Sequence, residues 1–198
     1  QALQVFNVLG IMLCVYAGYR ITRMLSEKKQ AAAAYLLFMA GCFPLIVYSV
    51  YVYSDVLSLA LCMTAVWQFL RYVRGGKRSG AVLMVCCLAA AVLLRNNSLI
   101  VMIAVLCVLL VQAVTRKRWQ YLVCAAVLLI ACLGSGPLLK QYYEKKTGIE
   151  INDGMPSILW IAMGMQEGDK EAGWYNGYSI YIYQDVCKYH SGTAAKLG

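Results

Sequence analysis

Leu94-Arg95-Asn96-Asn97-Ser98 separates two long apolar runs, Ala81 to Leu94 and Leu99 to Val114, and its reading decides the fold. A guanidinium in hydrocarbon is expensive, so an arginine placed like this faces a cavity, a headgroup or an aqueous mouth. Read as one helix, residues 81–114 would be about 51 Å long, well beyond the ~30 Å hydrocarbon core. That helix would also carry Arg116-Lys117-Arg118 to the side opposite the earlier basic loops. Read as a hairpin turning at 95–98, both arms fit a bilayer and all three basic loops share one side, as the positive-inside pattern requires. The hairpin is therefore expected. Its first arm is short, at about 21 Å. It must recruit residues 77–80, sit in a thinned bilayer, or stop below the outer surface.

Working outward, the same pattern covers most of the chain. Of 198 residues, 62% are hydrophobic and 14% charged, against about 25% charged in a soluble domain. The excess is gathered in blocks long enough to span a membrane. The first run, 2–22, is broken only by Gln4 and Asn7 and ends in a loop carrying Arg23, Lys28 and Lys29 with a single acid, Glu27. Residues 31–70 form a stretch of roughly 60 Å if helical, so it must fold back. Ser54-Asp55 is its one polar break. Pro44 then falls inside the second span as a tolerated kink, and Tyr48, Tyr51 and Tyr53 fit an interfacial aromatic belt. Arg71 to Gly80 is a loop with four cations, no acids and three glycines. The last run, 120–139, ends near Gly134, Gly136 and Pro137, small or helix-breaking residues that permit close helix contact or a break.

These readings predict an all-α polytopic membrane protein with about six transmembrane helices, over 2–22, 31–53, 55–71, 80–94, 98–114 and 120–139. Residues 140–198 have nearly balanced charge and no spanning stretch. By alternation they form an extracytoplasmic α-rich segment, with the basic loops cytoplasmic and the chain multi-pass in a cell membrane. Within that segment a short helix is expected over 157–166, after Asp153-Gly154-Met155-Pro156, while residues 179–191 fit helix or strand.

The net charge of +9 does not indicate nucleic acid. The cations sit in short loops without interleaved aromatics, so the expected partner is the lipid bilayer. Eight of nine cysteines lie in apolar runs, where cysteine behaves as a small hydrophobe. There is no CxxC pair and His190 has no ligand partner at useful spacing. Neither a disulfide framework nor a zinc site is expected.

Chemistry is expected at the mouth opposite the basic loops. Asp55 begins the third span, and Arg95, Asn96 and Asn97 form the turn between the fourth and fifth. Ser54 and Ser98 are placed to cap the helices that start there. Helix N-termini favour anions, phosphate above all, and Arg95 adds fork geometry suited to phosphate oxygens. Arg95, Asn96, Asn97 and Ser98 are thus the candidate phosphate-binding set. Asp55 would position the arginine or hold a divalent metal ion. The plainer readings are a snorkelling Arg95, an Asp55 that serves only the helix dipole, and asparagines that serve only as turn residues tolerating positive φ. Asn96-Asn97-Ser98 also matches a glycosylation sequon, although a tight turn at the membrane disfavours modification.

Tyr53-Ser54-Asp55 opening a helix, then a basic loop, then Leu93-Leu94-Arg95-Asn96-Asn97 before an apolar helix, resembles the multi-spanning GT-C glycosyltransferases. These include the protein mannosyltransferase and aminoarabinose transferase relatives. Met155 to Met165 and Gly173-Trp174-Tyr175-Asn176 are similar to the exported segment of uncharacterised members. Asn96 stands where the family often has proline. The resemblance implies inverting transfer of a sugar from a polyprenyl-phosphate-linked donor on the extracytoplasmic side. It implies an acidic catalytic residue in a first exported loop, which would lie upstream of Gln1. Trp160, Trp174 and Tyr175 are candidate sugar contacts. The competing expectation is a non-enzymatic polytopic protein, a lipid-linked glycan transporter or an assembly partner, with charged residues along a central path through several helices.

Overall fold

The computed structural model describes residues 2–48, 54–149, 151 and 165. Every regular element among them is helical. The chain divides into two compact units, Gln1–Gln141 and Tyr142–Gly198.

The first unit begins with α1 (Ala2–Leu25), a helix of about 36 Å. The chain reverses through Ser26 to Lys28 into α2 (Lys29–Ala40). The expected continuous span over 31–53 is interrupted. α2 stops at Gly41, where the Gly41 N–H donates to the Leu37 carbonyl and the Cys42 N–H to the Met39 carbonyl, and a new short helix, α3 (Phe43–Tyr48), begins after Cys42. Pro44 supplies the reason. It has no N–H to give the Ala40 carbonyl four residues back, so α2 is not continued through it. The proline therefore starts a second helix and does not kink the first. Of the expected tyrosine belt, Tyr51 and Tyr53 and the side chain of Tyr48 lie outside the described residues.

α4 (Ser54–Gly75) is the hub. It runs parallel to α1: Gly10 lies against Val56 and Leu57, Tyr16 meets Trp67 edge-on with centroids 5.6 Å apart, and Arg74 donates to the Met24 carbonyl. It runs antiparallel to α5 (Arg78–Leu94), with Ser58 beside Ala91 and Gly80 beside Gln68 and Tyr72. Both neighbours approach closely where a glycine removes the side chain. A Cβ on Gly80 would sit 3.1 Å from the Gln68 carbonyl oxygen. α5 settles the short-arm question by beginning at Arg78, which lengthens it to about 25 Å.

The predicted hairpin is present. α5 ends at Leu94, a single 3₁₀ turn covers Asn96–Ser98, and α6 (Leu99–Arg116) returns. α7 (Gln120–Thr147) follows. Four helices (α1, α4, α6 with its leading turn, and α7) are long and apolar enough to cross a membrane, and α5 is a shorter apolar helix. The core between them is built from buried Ala65, Phe69, Met84, Leu88, Ala91, Leu109 and Leu128, together with small residues and cysteines. The described cysteines are all free thiols.

α7 departs from expectation at its end. It continues through Gly134, Gly136 and Pro137 to Thr147, so 139 is not a helix end. A Cβ on Gly134 or Gly136 would meet nothing within 4 Å among the described residues, so these glycines mediate no close helix contact there. In the second unit, Tyr142 and Tyr143 pack edge-on at 5.4 Å, and the Ile151 N–H donates to the Glu144 carboxylate at 3.0 Å. The helix expected over 157–166 lies outside the described residues except for Met165, which is helical, and residues 179–191 lie outside them entirely.

Candidate functional site

Helix orientation sorts the charges of residues 1–139. Arg20, Arg23, Lys28, Lys29, Arg71, Arg74, Lys77, Arg78 and Arg116 to Arg118 occupy the helix ends on one side, with Glu27 as their one acid. At the other end stand Arg95 and Asp55.

Those two form a bidentate ion pair. Arg95 donates from Nε to Asp55 Oδ1 and from Nη2 to Oδ2, the latter at 2.7 Å. The side chains are 40% and 38% exposed, at the boundary between bundle and solvent. Asp55 lies in the first turn of α4, where a carboxylate is favoured by the helix dipole. Arg95 is the cap residue of α5 and the residue that turns the chain. Its N–H still bonds the Ala91 carbonyl at 2.9 Å, but its own φ of −152° and ψ of 121° are extended. The Arg95 carbonyl then accepts from the Ser98 N–H at 3.0 Å, closing the turn. No glycine or proline is needed. Among the described residues, Lys117 is the one non-glycine with positive φ, so neither asparagine uses the conformation expected of it.

The turn is pinned from below. Ser98 is buried, and its hydroxyl lies 2.6 Å from that of Ser58, itself buried on α4. Ser58 Oγ is also 3.3 Å from the Ala91 carbonyl. Both hydroxyls are satisfied in series if Ser98 donates to Ser58 and Ser58 to Ala91. Ser98 therefore differs from expectation in making no side-chain cap on α6; its hydroxyl is turned onto Ser58. The cause is the phase of α4: Asp55, Ser58 and Cys62, spaced three and four apart, form one face, and the 95–98 turn lies along it. Ser58 is the residue missed in the sequence, and its signal was that spacing from Asp55. Asn96 and Asn97 are exposed at the tip of the turn.

Asp55 also borders an apolar cavity of about 400 Å³. It is lined by Tyr35, Phe38 and Met39 of α2, by Cys42, Pro44 and Leu45 at the helix break, and by Val56, Leu59 and Met63 of α4. The break at Gly41–Cys42 thus helps shape a hollow whose one charged lining residue holds Arg95. On α1, buried Asn7 lies one turn before Gly10, which packs against Val56, so it stands near the level where α4 begins.

Two roles are expected of Asp55, positioning the arginine or holding a divalent metal ion. Within the described residues, the Asp55 carboxylate is engaged by the Arg95 fork through both of its oxygens, and no cluster of three or more His, Cys, Asp or Glu occurs among them. The candidate sugar contacts Trp160, Trp174 and Tyr175 lie outside the described residues.

Residues 1–135 match the family model for dolichyl-phosphate-mannose-protein mannosyltransferase, a stretch that includes every helix contributing to this site. No curated protein and no solved structure matches the chain.

Proposed function

The chain belongs to the dolichyl-phosphate-mannose-protein mannosyltransferase family, and from that premise we propose that it transfers a sugar from a polyprenyl-phosphate-linked donor on the side of the membrane opposite its basic loops. Membership supports membrane glycosyltransferase activity in general. The donor, the sidedness and the residue roles are our reading. By the positive-inside pattern the basic loops are cytoplasmic and the Asp55–Arg95 mouth is extracytoplasmic.

One observation carries the reading: a bidentate Asp55–Arg95 pair sits at the edge of an apolar cavity, at the end of the helices opposite the basic loops. A polyprenyl-phosphate sugar has matching parts, an apolar tail and a phosphate at its head. In this reading the tail enters the cavity beside Leu59 and Met63, and the phosphate meets Arg95 and the exposed Asn96 and Asn97. Transfer forms a bond from the acceptor hydroxyl oxygen to the anomeric carbon as the carbon–oxygen bond to phosphate breaks. The electron pair leaves with the polyprenyl phosphate, and the acceptor's proton passes to a general base. Arg95 stabilises the charge growing on the phosphate, and Asp55 holds the guanidinium in place before that charge appears. No residue of the chain is assigned as the base.

The non-enzymatic alternative requires charged residues along a path through the bundle. The buried polar residues among those described are Asn7, Ser58, Thr64, Gln68 and Ser98, none of them charged. That pattern supports a one-sided site.

The test is transfer by the intact protein in proteoliposomes, using a panel of polyprenyl-phosphate sugars and reading release of polyprenyl phosphate. Arg95→Ala is expected to lower turnover by about 10²–10³-fold, the usual cost of one preorganised donor at a developing anion. Arg95→Lys should recover part of it. Unchanged release in Arg95→Ala overturns the assignment.

A further inference from the structure

We propose that the basic end of the bundle carries a second lipid site, a seat for an anionic phospholipid with its phosphate at Arg78 and one acyl chain in the cleft between α5 and α7. This seat stands independently of the transfer reaction proposed for the other end. Arg78 begins α5 and Arg95 follows its last residue, so the two arginines are about 25 Å apart along the helix axis.

The cleft has a volume of about 410 Å³. Its walls are Val82 and Val85 on α5 and Val123 and Val127 on α7, while its one cation, Arg78, and the Gln120 amide stand at one end with Trp119. α7 leans on the bundle through buried Tyr121, Cys124, Ala125 and Leu128, which leaves its neighbouring face open towards α5. The base of the cleft is fixed. Tyr72 and Tyr121 pack edge-on at 5.4 Å, and Arg116 donates to the Tyr121 hydroxyl at 3.3 Å and to the Val73 carbonyl at 2.8 Å.

Three features select a phospholipid as occupant. The walls belong to apolar helices, and Val82 and Val123 are 64% and 46% exposed, a surface that hydrocarbon chains cover. Trp119, 73% exposed, is a side chain that settles at headgroup level, and it shares the mouth with Arg78. The headgroup plane therefore crosses the cleft where its one cation stands. Finally, Lys77 precedes Arg78, and Arg116, Lys117 and Arg118 precede Trp119, so the surrounding field favours a negative headgroup. Basic pockets between spanning helices bind anionic lipid headgroups for this reason. The tail enters an apolar slot, and the phosphate meets a guanidinium able to donate two bonds.

The test is native mass spectrometry of the full chain released from vesicles of equal phosphatidylglycerol and phosphatidylcholine. The wild type is expected to retain one phosphatidylglycerol in preference to phosphatidylcholine. Arg78→Gln should lower that retention about tenfold, the loss of a charge-assisted contact, and Arg78→Lys should restore part of it. Val82→Trp, which fills the slot and leaves the charge in place, should also lower retention. Equal retention of both lipids, or wild-type retention in both Arg78→Gln and Val82→Trp, overturns the proposal. So does loss of the retained lipid in Arg95→Ala, which would place it at the opposite end.

Discussion

If Asp55 acts through Arg95, the two residues must be energetically coupled, and a double-mutant cycle measures that coupling. The perturbations are Asp55→Asn, Arg95→Ala and the pair together. Asp55→Asn keeps the side-chain volume and one acceptor oxygen but removes the charge and half of the bidentate fork. Hydrogen bonds to charged groups contribute about 1.5–3 kcal/mol when shielded, whereas exposed ion pairs contribute about 0.2–1 kcal/mol. With the side chains 40% and 38% exposed, the pair belongs near the boundary of those ranges, at about 1 kcal/mol. That corresponds to roughly a fivefold change in how often the guanidinium is held in position. Asp55→Asn should therefore slow release of polyprenyl phosphate about fivefold, well short of the 10²–10³-fold loss expected for Arg95→Ala. The decisive variant is the double one, which should be no slower than Arg95→Ala alone, because there is nothing left for Asp55 to orient. Melting temperatures in the same detergent control for unfolding. If Asp55→Asn still costs its fivefold in the Arg95→Ala background, the residues act separately and the positioning role is wrong.

Other expectations follow from the packing around the site. Ser58→Ala removes the hydroxyl linking Ser98 to the Ala91 carbonyl and should cost about 1 kcal/mol, near the middle of the range for interhelical bonds in membranes. Unfolding in mixed detergent would read it, and Ser98→Ala should give a similar loss without adding to it. Gly80→Ala pushes a Cβ to 3.1 Å from a backbone carbonyl that cannot rotate away, so it should destabilise by about 1–3 kcal/mol in the same assay; Gly134→Ala, with open space around it, serves as the comparison. Pro44→Ala restores an N–H at the break between α2 and α3, and should raise helical circular dichroism and slow transfer by reshaping the cavity beside Asp55. An unchanged spectrum would mean that the break does not depend on the proline.

What was legible in the sequence, and what was not, divides along a physical line. The hairpin at 95–98 could be read because two independent constraints, bilayer thickness and the side of the basic loops, admitted one answer. Asp55 and Arg95 could be assigned to one mouth for the same reason, since alternation of spans is a one-dimensional rule. The direction in which Ser98 faces is different. It depends on the rotational phase of α4 against the turn, and nothing local to Asn96-Asn97-Ser98 encodes that phase; the spacing of Asp55, Ser58 and Cys62 does, but only once α4 is known to be the partner. α2 stops short of the expected span, and α7 runs on past the end of its apolar stretch. At Pro44 the sequence carried the signal, but its effect acts backwards, on the carbonyl four residues earlier, and α2 ends at that residue, Ala40. At Lys140 the change in composition was real, yet Lys140-Gln141-Tyr142-Tyr143-Glu144-Lys145-Lys146 contains mostly residues compatible with a helix, so α7 continued where its apolar character stopped. A fall in hydropathy marks where a helix leaves hydrocarbon, whereas its end is set by backbone hydrogen bonding. The candidate site illustrates the same separation: hydropathy located the mouth, whereas the packing of α4 on the end of α5, with Ser58 bonded to Ala91 and Ser98, goes with the meeting of Arg95 and Asp55 there.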